Sequence, residues 1–149
     1  MIKLFIPIEP MGAVRTTQKQ KFMDKRAMRY RTYKQHIALL VKQHIKSPTN
    51  SPILADITFY MPMPSSWSGK KKERMNGAIH RSKPDIDNMV KGLFDSFNKI
   101  VWKDDNQVCE VHSKKVYSFN PGIGVEIWEL EDEVNGEQGQ TKKKIKKDS

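Results

Sequence analysis

Apolar residues recur at every second position from Ile2 through Leu4 and Ile6 to Ile8, so residues 2–8 read as a β-strand with one buried face, ended by Pro10 and Gly12. Residues 14–31 are polar and strongly basic. A helix is expected over 27–45, with Tyr30, Tyr33, Ile37, Leu40, Val41 and His44 along one side. The SPTNSP run at 47–52 is a loop, and the chain returns as a strand over 53–60. Met61-Pro62-Met63-Pro64 and the Ser/Gly/Lys stretch behind it make a second loop that ends near Gly77.

The strongest periodicity lies further on. Ile86, Met89, Val90, Leu93, Phe94 and Phe97 recur at steps of three and four, a continuous helical stripe, and Pro84-Asp85 ahead of it supplies a boundary and a cap. Residues 108–119 and 123–130 read as two strands joined by the turn residues Asn120-Pro121-Gly122. The order β-α-β-α-β-β predicts an α+β fold, a mixed sheet packed with two helices in one small domain over residues 1–131. Residues 132–149 are polar, end in KKKIKKDS and are expected to form a disordered tail.

The chain has 149 residues, which suits one domain, and its hydrophobic fraction is 37%. That is below the usual ~45–50%, so the core is modest and leaves room for a partner subunit to complete it. Twenty-seven Lys and Arg stand against 17 Asp and Glu, a formal net charge of +10, which favours nucleic acid or another anionic surface as partner. The single Cys109 excludes an intrachain disulfide and a cysteine-based zinc site. No stretch approaches the ~20 apolar residues of a membrane span, and the apolar run at the start is too short for a secretory signal, so a cytoplasmic protein is expected. His36, His44, His80 and His112 are scattered without ligand-like spacing.

Against this basic background, residues 85–105, DIDNMVKGLFDSFNKIVWKDD, hold five carboxylates. Carboxylates that converge repel one another, and a bound cation is the simplest compensation. If residues 83–87 are extended, Asp85 and Asp87 share a face, and Lys91 one turn beyond Asp87 stands ready to steady a phosphate or a leaving group. The chain must reverse after Phe97, which can return Asp104 or Asp105 to the same place; successive residues point apart, so only one of them can reach it. Mg²⁺ held by such acids suits phosphodiester hydrolysis. Each residue also has an ordinary structural reading: Asp85 as an N-cap, Asp87–Lys91 as a surface ion pair, Asp95 as a second partner of Lys91, and Asp104-Asp105-Asn106 as a solvated turn.

The ordered set Asp85-x-Asp87-Asn88-x-x-Lys91, Asp95 and Trp102-x-Asp104-Asp105-x-Gln107-Val108 resembles the signature of the RusA-type Holliday-junction resolvases, small Mg²⁺-dependent endonucleases often carried by phages and prophages. The resemblance covers the middle and C-terminal half; the N-terminal part agrees in style only. It implies Asp85, Asp87 and Asp105 as the essential acids, which would hold Mg²⁺ (Mn²⁺ substituting), and Lys91 as the essential lysine; the spacing leaves Asp104 as a further candidate ligand. It also implies a homodimer that cuts opposing strands of four-way DNA symmetrically, with no small-molecule cofactor. The Lys-rich tail has no counterpart in the family pattern.

Two basic groups are the candidate DNA contacts: Arg15, Lys19, Lys21, Arg26 and Arg29 in the first, and Lys70, Lys71, Lys72, Arg81 and Lys83 leading up to the acids. Contacts of this kind grip phosphate, so they read shape rather than sequence. Phe22, Tyr30 and Trp67 lie among them, either to stack on unpaired bases or to pack within the protein. The competing reading is a non-catalytic basic protein that binds branched DNA as a phage or prophage accessory. It explains the cations but leaves Asp85, Asp87 and Asp105 as repulsion toward DNA. A restriction-type nuclease is set aside, because no acid-x-Lys pair follows Asp85.

Overall fold

The computed structural model describes residues 1–15, 24–135 and 140–146. Its elements are β1 (Ile2–Ile6), α1 (Lys25–Lys42), β2 (Ile53–Met61), α2 (Gly69–Met75), α3 (Ile86–Phe97), a single 3₁₀ turn at Asp105–Gln107, β3 (Val108–Tyr117), β4 (Gly122–Asn135) and β5 (Gln140–Ile145). The central sheet runs β1-β4-β2-β3. β4 lies antiparallel to both β1 and β2, whereas β2 and β3 are parallel. A parallel neighbour cannot be reached through a hairpin; the crossover that carries α2 and α3 supplies the return path.

Alternation in β2 decides which side of the sheet is buried. Ile53, Ala55, Ile57, Phe59 and Met61 point into the core with Ile6 of β1 and Ile123, Val125 and Ile127 of β4. Tyr30, Tyr33, Ile37 and Val41 of α1 and Met89, Leu93 and Phe97 of α3 close the core from the other side. Full burial of side chains of this size stabilises by roughly 1.5–3 kcal/mol each, so the α3 stripe is what ties the acidic segment to the sheet. Trp102 is fully buried after the helix, edge-on to Phe94 at 5.1 Å and Phe97 at 5.4 Å, with its indole N–H donating to Asn98 Oδ1 at 2.8 Å.

Three expectations are corrected. The chain has a third helix, α2, where a loop was expected, and the Ser68 hydroxyl caps it by accepting from Lys71 N–H at 3.2 Å. The sequence held that signal, a serine followed by good helix formers. His44 lies beyond the end of α1 and is exposed. The third correction concerns the tail: β4 crosses the expected boundary at residue 131, and β5 returns alongside it where disorder was expected. The register sets Glu131, Asp132 and Glu133 opposite Lys144, Lys143 and Lys142. That pairing rests on a register that composition alone does not disclose.

Candidate active site

The segment that leads into α3 is held from two sides. Ala13 N–H donates to Asn88 O at 3.0 Å, and Gly12 lies so close to the loop that a β-carbon there would come within 3.1 Å of Pro84 Cβ. From the sheet, Lys115 Nζ donates to the carbonyls of Ser82 at 2.6 Å and Pro84 at 2.7 Å. Asp85 then occupies the N-cap position of α3 with extended backbone (φ −67°, ψ 141°), but its carboxylate makes no capping hydrogen bond. Its N-cap reading therefore holds for the backbone and not for the side chain.

Asp87 is the second residue of α3, so strand alternation does not align it with Asp85. The two instead share the first turn of the helix, Asp85 as its N-cap and Asp87 two residues on. Both are exposed, and neither carboxylate has a hydrogen-bond or ion-pair partner among the described residues. The positive end of the helix dipole favours negative charge here and offsets part of the repulsion between them.

Lys91 does not pair back to Asp87. Its ammonium lies 3.7 Å from Asp95 Oδ2, one turn further along α3. Asp95 also takes a long hydrogen bond, 3.5 Å, from the Tyr30 hydroxyl of α1. Burial, then the charge of Asp95 and this bond, hold the Tyr30 phenol well above its usual range, so it stays protonated and donates.

The structure distinguishes the two successive aspartates. Asp104 caps the 3₁₀ turn, accepting from Asn106 N–H at 2.9 Å, while Gln107 Oε1 accepts in return from Asp104 N–H at 3.0 Å. Gln107 also donates through Nε2 to the carbonyls of Thr49 and Ser51, which joins this turn to the entry of β2. Asp104 is thus committed to the turn, and Asp105 is left without a side-chain partner among the described residues. The structure places Asp85 and Asp87 on the first turn of α3 and Asp105 in the 3₁₀ turn that precedes β3. Among the described residues no three His, Cys, Asp or Glu side chains gather as a metal-holding group.

A cleft of about 580 Å³ opens beside Asp85, lined by Arg26 and Arg29 of α1, Lys83, Asn88 and the 11–14 segment. Two parts of the chain far apart in sequence thus put three cations next to the acid. Arg15 and Arg81 are exposed, as is Lys70 on α2, while Lys71 and Lys72 are half-buried. Lys19, Lys21 and Phe22 lie outside the described residues. Tyr30 is a core residue, with Tyr33 stacked at 6.4 Å. The Trp67 ring already has protein partners, Tyr117 at 5.0 Å and Lys71 Nζ at 4.4 Å, which favours packing over base stacking.

Sequence reasoning missed Lys115, which has no motif; only the approach of β3 to the 80–84 loop marks it. His80, named from the sequence without ligand-like spacing, is a packing residue. His80 is buried against Tyr117 at 4.7 Å, and burial first, then the charge of Lys115, holds its pKa below the usual value.

A basic α+β protein with carboxylates unpartnered among the described residues, at a helix end beside an arginine-lined cleft, has the features that processing a polyanion requires. Residues 7–128 match the family described as endodeoxyribonuclease RusA. The chain is 37% identical over 126 residues to the uncharacterized protein YqaN of Bacillus subtilis (strain 168), covering 81% of this chain and 87% of that protein. It is 30% identical over 122 residues to the crossover junction endodeoxyribonuclease rusA of Lactococcus phage r1t, covering 80% and 86%. The chain belongs to the RusA endodeoxyribonuclease family and is a nuclease. No helix among the described residues is long and apolar enough to cross a membrane.

Proposed function

We propose that this protein is a Mg²⁺-dependent, structure-selective endonuclease that resolves four-way DNA junctions as a homodimer in the cytoplasm of a bacterial host, encoded by a phage or prophage. The observation that supports the reading is that Asp85, without a side-chain partner among the described residues, lines one cleft with Arg26, Arg29 and Lys83, with Asp87 on the same helical turn. The donor set suits a hard cation: Mg²⁺ takes one or two carboxylates and completes its octahedron with substrate oxygens and water, and both carboxylates are open to solvent. Asp85 and Asp87 would hold the ion, with Asp105 as the further acid. When bound, Mg²⁺ supplies Lewis acidity at the scissile phosphate.

The chain's own residues do the rest. Arg26, Arg29 and Lys83 neutralise backbone phosphates and bring a polyanion up to carboxylates that would otherwise repel it. Lys91, steadied by Asp95, holds a positive charge on the same helix as the acids, suited to stabilising charge that develops on the phosphate or leaving oxygen. Two such sites related by a twofold axis suit a junction whose opposing strands are equivalent.

The test is cleavage of a synthetic four-way junction in Mg²⁺ or Mn²⁺, with linear duplex and Asp87→Asn alongside, and sizing of the protein in solution. Paired cuts in the junction alone, lost in Asp87→Asn while junction binding persists, are the expected result. Tight junction binding without cutting in either metal would leave a branched-DNA-binding accessory protein and return the acids to structure.

A further inference from the structure

Lys115 faces Phe59 in the parallel register of β3 with β2, yet its ammonium leaves the sheet for the loop ahead of α3. Its Nζ donates to Ser82 O and Pro84 O, and its own carbonyl accepts from His80 N–H at 3.0 Å. One residue therefore sets the path of the chain over residues 80–84 at three points. These carbonyls need such a partner. The pairing of the loop with the β3 edge, through Ala78 and His80, stops before Ser82, and proline brings no N–H of its own. A charged donor makes a bond roughly twice as strong as a neutral one.

Asp85 follows Pro84 directly, and no capping bond fixes its carboxylate. Where that carboxylate points is decided by the backbone that delivers it, and Lys115 holds that backbone. We propose that Lys115 is a positioning residue of the active site: by gathering the Ser82 and Pro84 carbonyls it presents Asp85 to the divalent cation and the scissile phosphate. This rests on the reading of Asp85 as a cation-holding acid. Lys115 itself touches neither metal nor substrate in this role. His80 is buried behind it, and burial first, then the charge of Lys115, disfavours its protonated form.

The test compares the parent with Lys115→Met, which removes the donors and keeps the aliphatic stem, and Lys115→Arg, which keeps the charge. Mn²⁺ is titrated while the amide resonances of residues 85–88 are followed for paramagnetic broadening, and the Mg²⁺ half-saturation of junction cleavage is measured in parallel. In Lys115→Met the metal concentration for both is expected to rise roughly 10–100-fold, as for groups that orient metal ligands. Junction binding without metal should stay at the parent value, and Arg should recover part of the loss. Broadening and half-saturation in Lys115→Met at the parent's concentrations would overturn the proposal. Should the Met variant fail to fold, Lys115→Gln, too short to span both carbonyls, makes the same comparison. A parent that shows neither broadening nor metal-dependent cleavage would instead sink the reading of Asp85, and the role of Lys115 with it.

Discussion

Lys91 is paired forward to Asp95, not back to Asp87: the ammonium lies 3.7 Å from Asp95 Oδ2 on the next turn of α3. The orientation matters because Asp87 is thereby left without a counter-ion among the described residues while the lysine remains on the same helix. Tyr30 supports the arrangement from α1, donating to the same carboxylate oxygen. An element of the core thus reaches the lysine through one intermediary.

Lys91→Ala should abolish cleavage with little loss of stability. Both partners are substantially exposed, 48% for Lys91 and 30% for Asp95, and a helical pair of this kind is worth only about 0.3–0.5 kcal/mol. Cleavage on a junction and a urea titration decide it; retained cleavage would leave Lys91 as a surface residue.

Asp104 and Asp105 should separate cleanly. Asp104→Ala removes a cap and should cost about 1 kcal/mol of stability while cleavage persists. Asp105→Asn should keep stability and lose cleavage. The reverse pattern, read from the same two assays, would transfer the catalytic role to Asp104.

Arg26→Ala and Arg29→Ala should each weaken junction binding and lower the slope of log K against log salt by about 0.9 for each phosphate that the arginine neutralises. Titrations at several salt concentrations check this. An unchanged slope excludes a phosphate partner for that arginine.

Trp102→Ala should destabilise by about 3–5 kcal/mol, the cost of a large cavity between Phe94 and Phe97 together with the loss of the Asn98 hydrogen bond. Chemical denaturation measures it. A cost below about 1 kcal/mol would mean the core collapses around the gap.

Much of the fold was legible in one dimension because burial imposes a period. The alternation at residues 2–8 and 53–60 and the three-four stripe of Ile86 to Phe97 match β1, β2 and α3. The short helix α2 escaped because it buries none of its residues and so carries no stripe, and its cap was overlooked. The pairing of β5 escaped because it depends on which residues face one another.

By itself the sequence determined the chemistry available: hard carboxylates in one segment of a basic chain, with the order of elements to carry them. Only the tertiary structure decided how those groups are used. It gave Asp104 to a capping box and left Asp105 without a side-chain partner among the described residues, turned Lys91 toward Asp95, set Arg26 and Arg29 in one cleft with Asp85, and brought Lys115 to the loop ahead of α3. The physical reason differs with range. Contacts between distant segments, as at Arg26, Arg29 and Lys115, follow from the packing of α1, α3 and the sheet. At Lys91 and Asp104 several local partners were open, and only the folded chain selects among them.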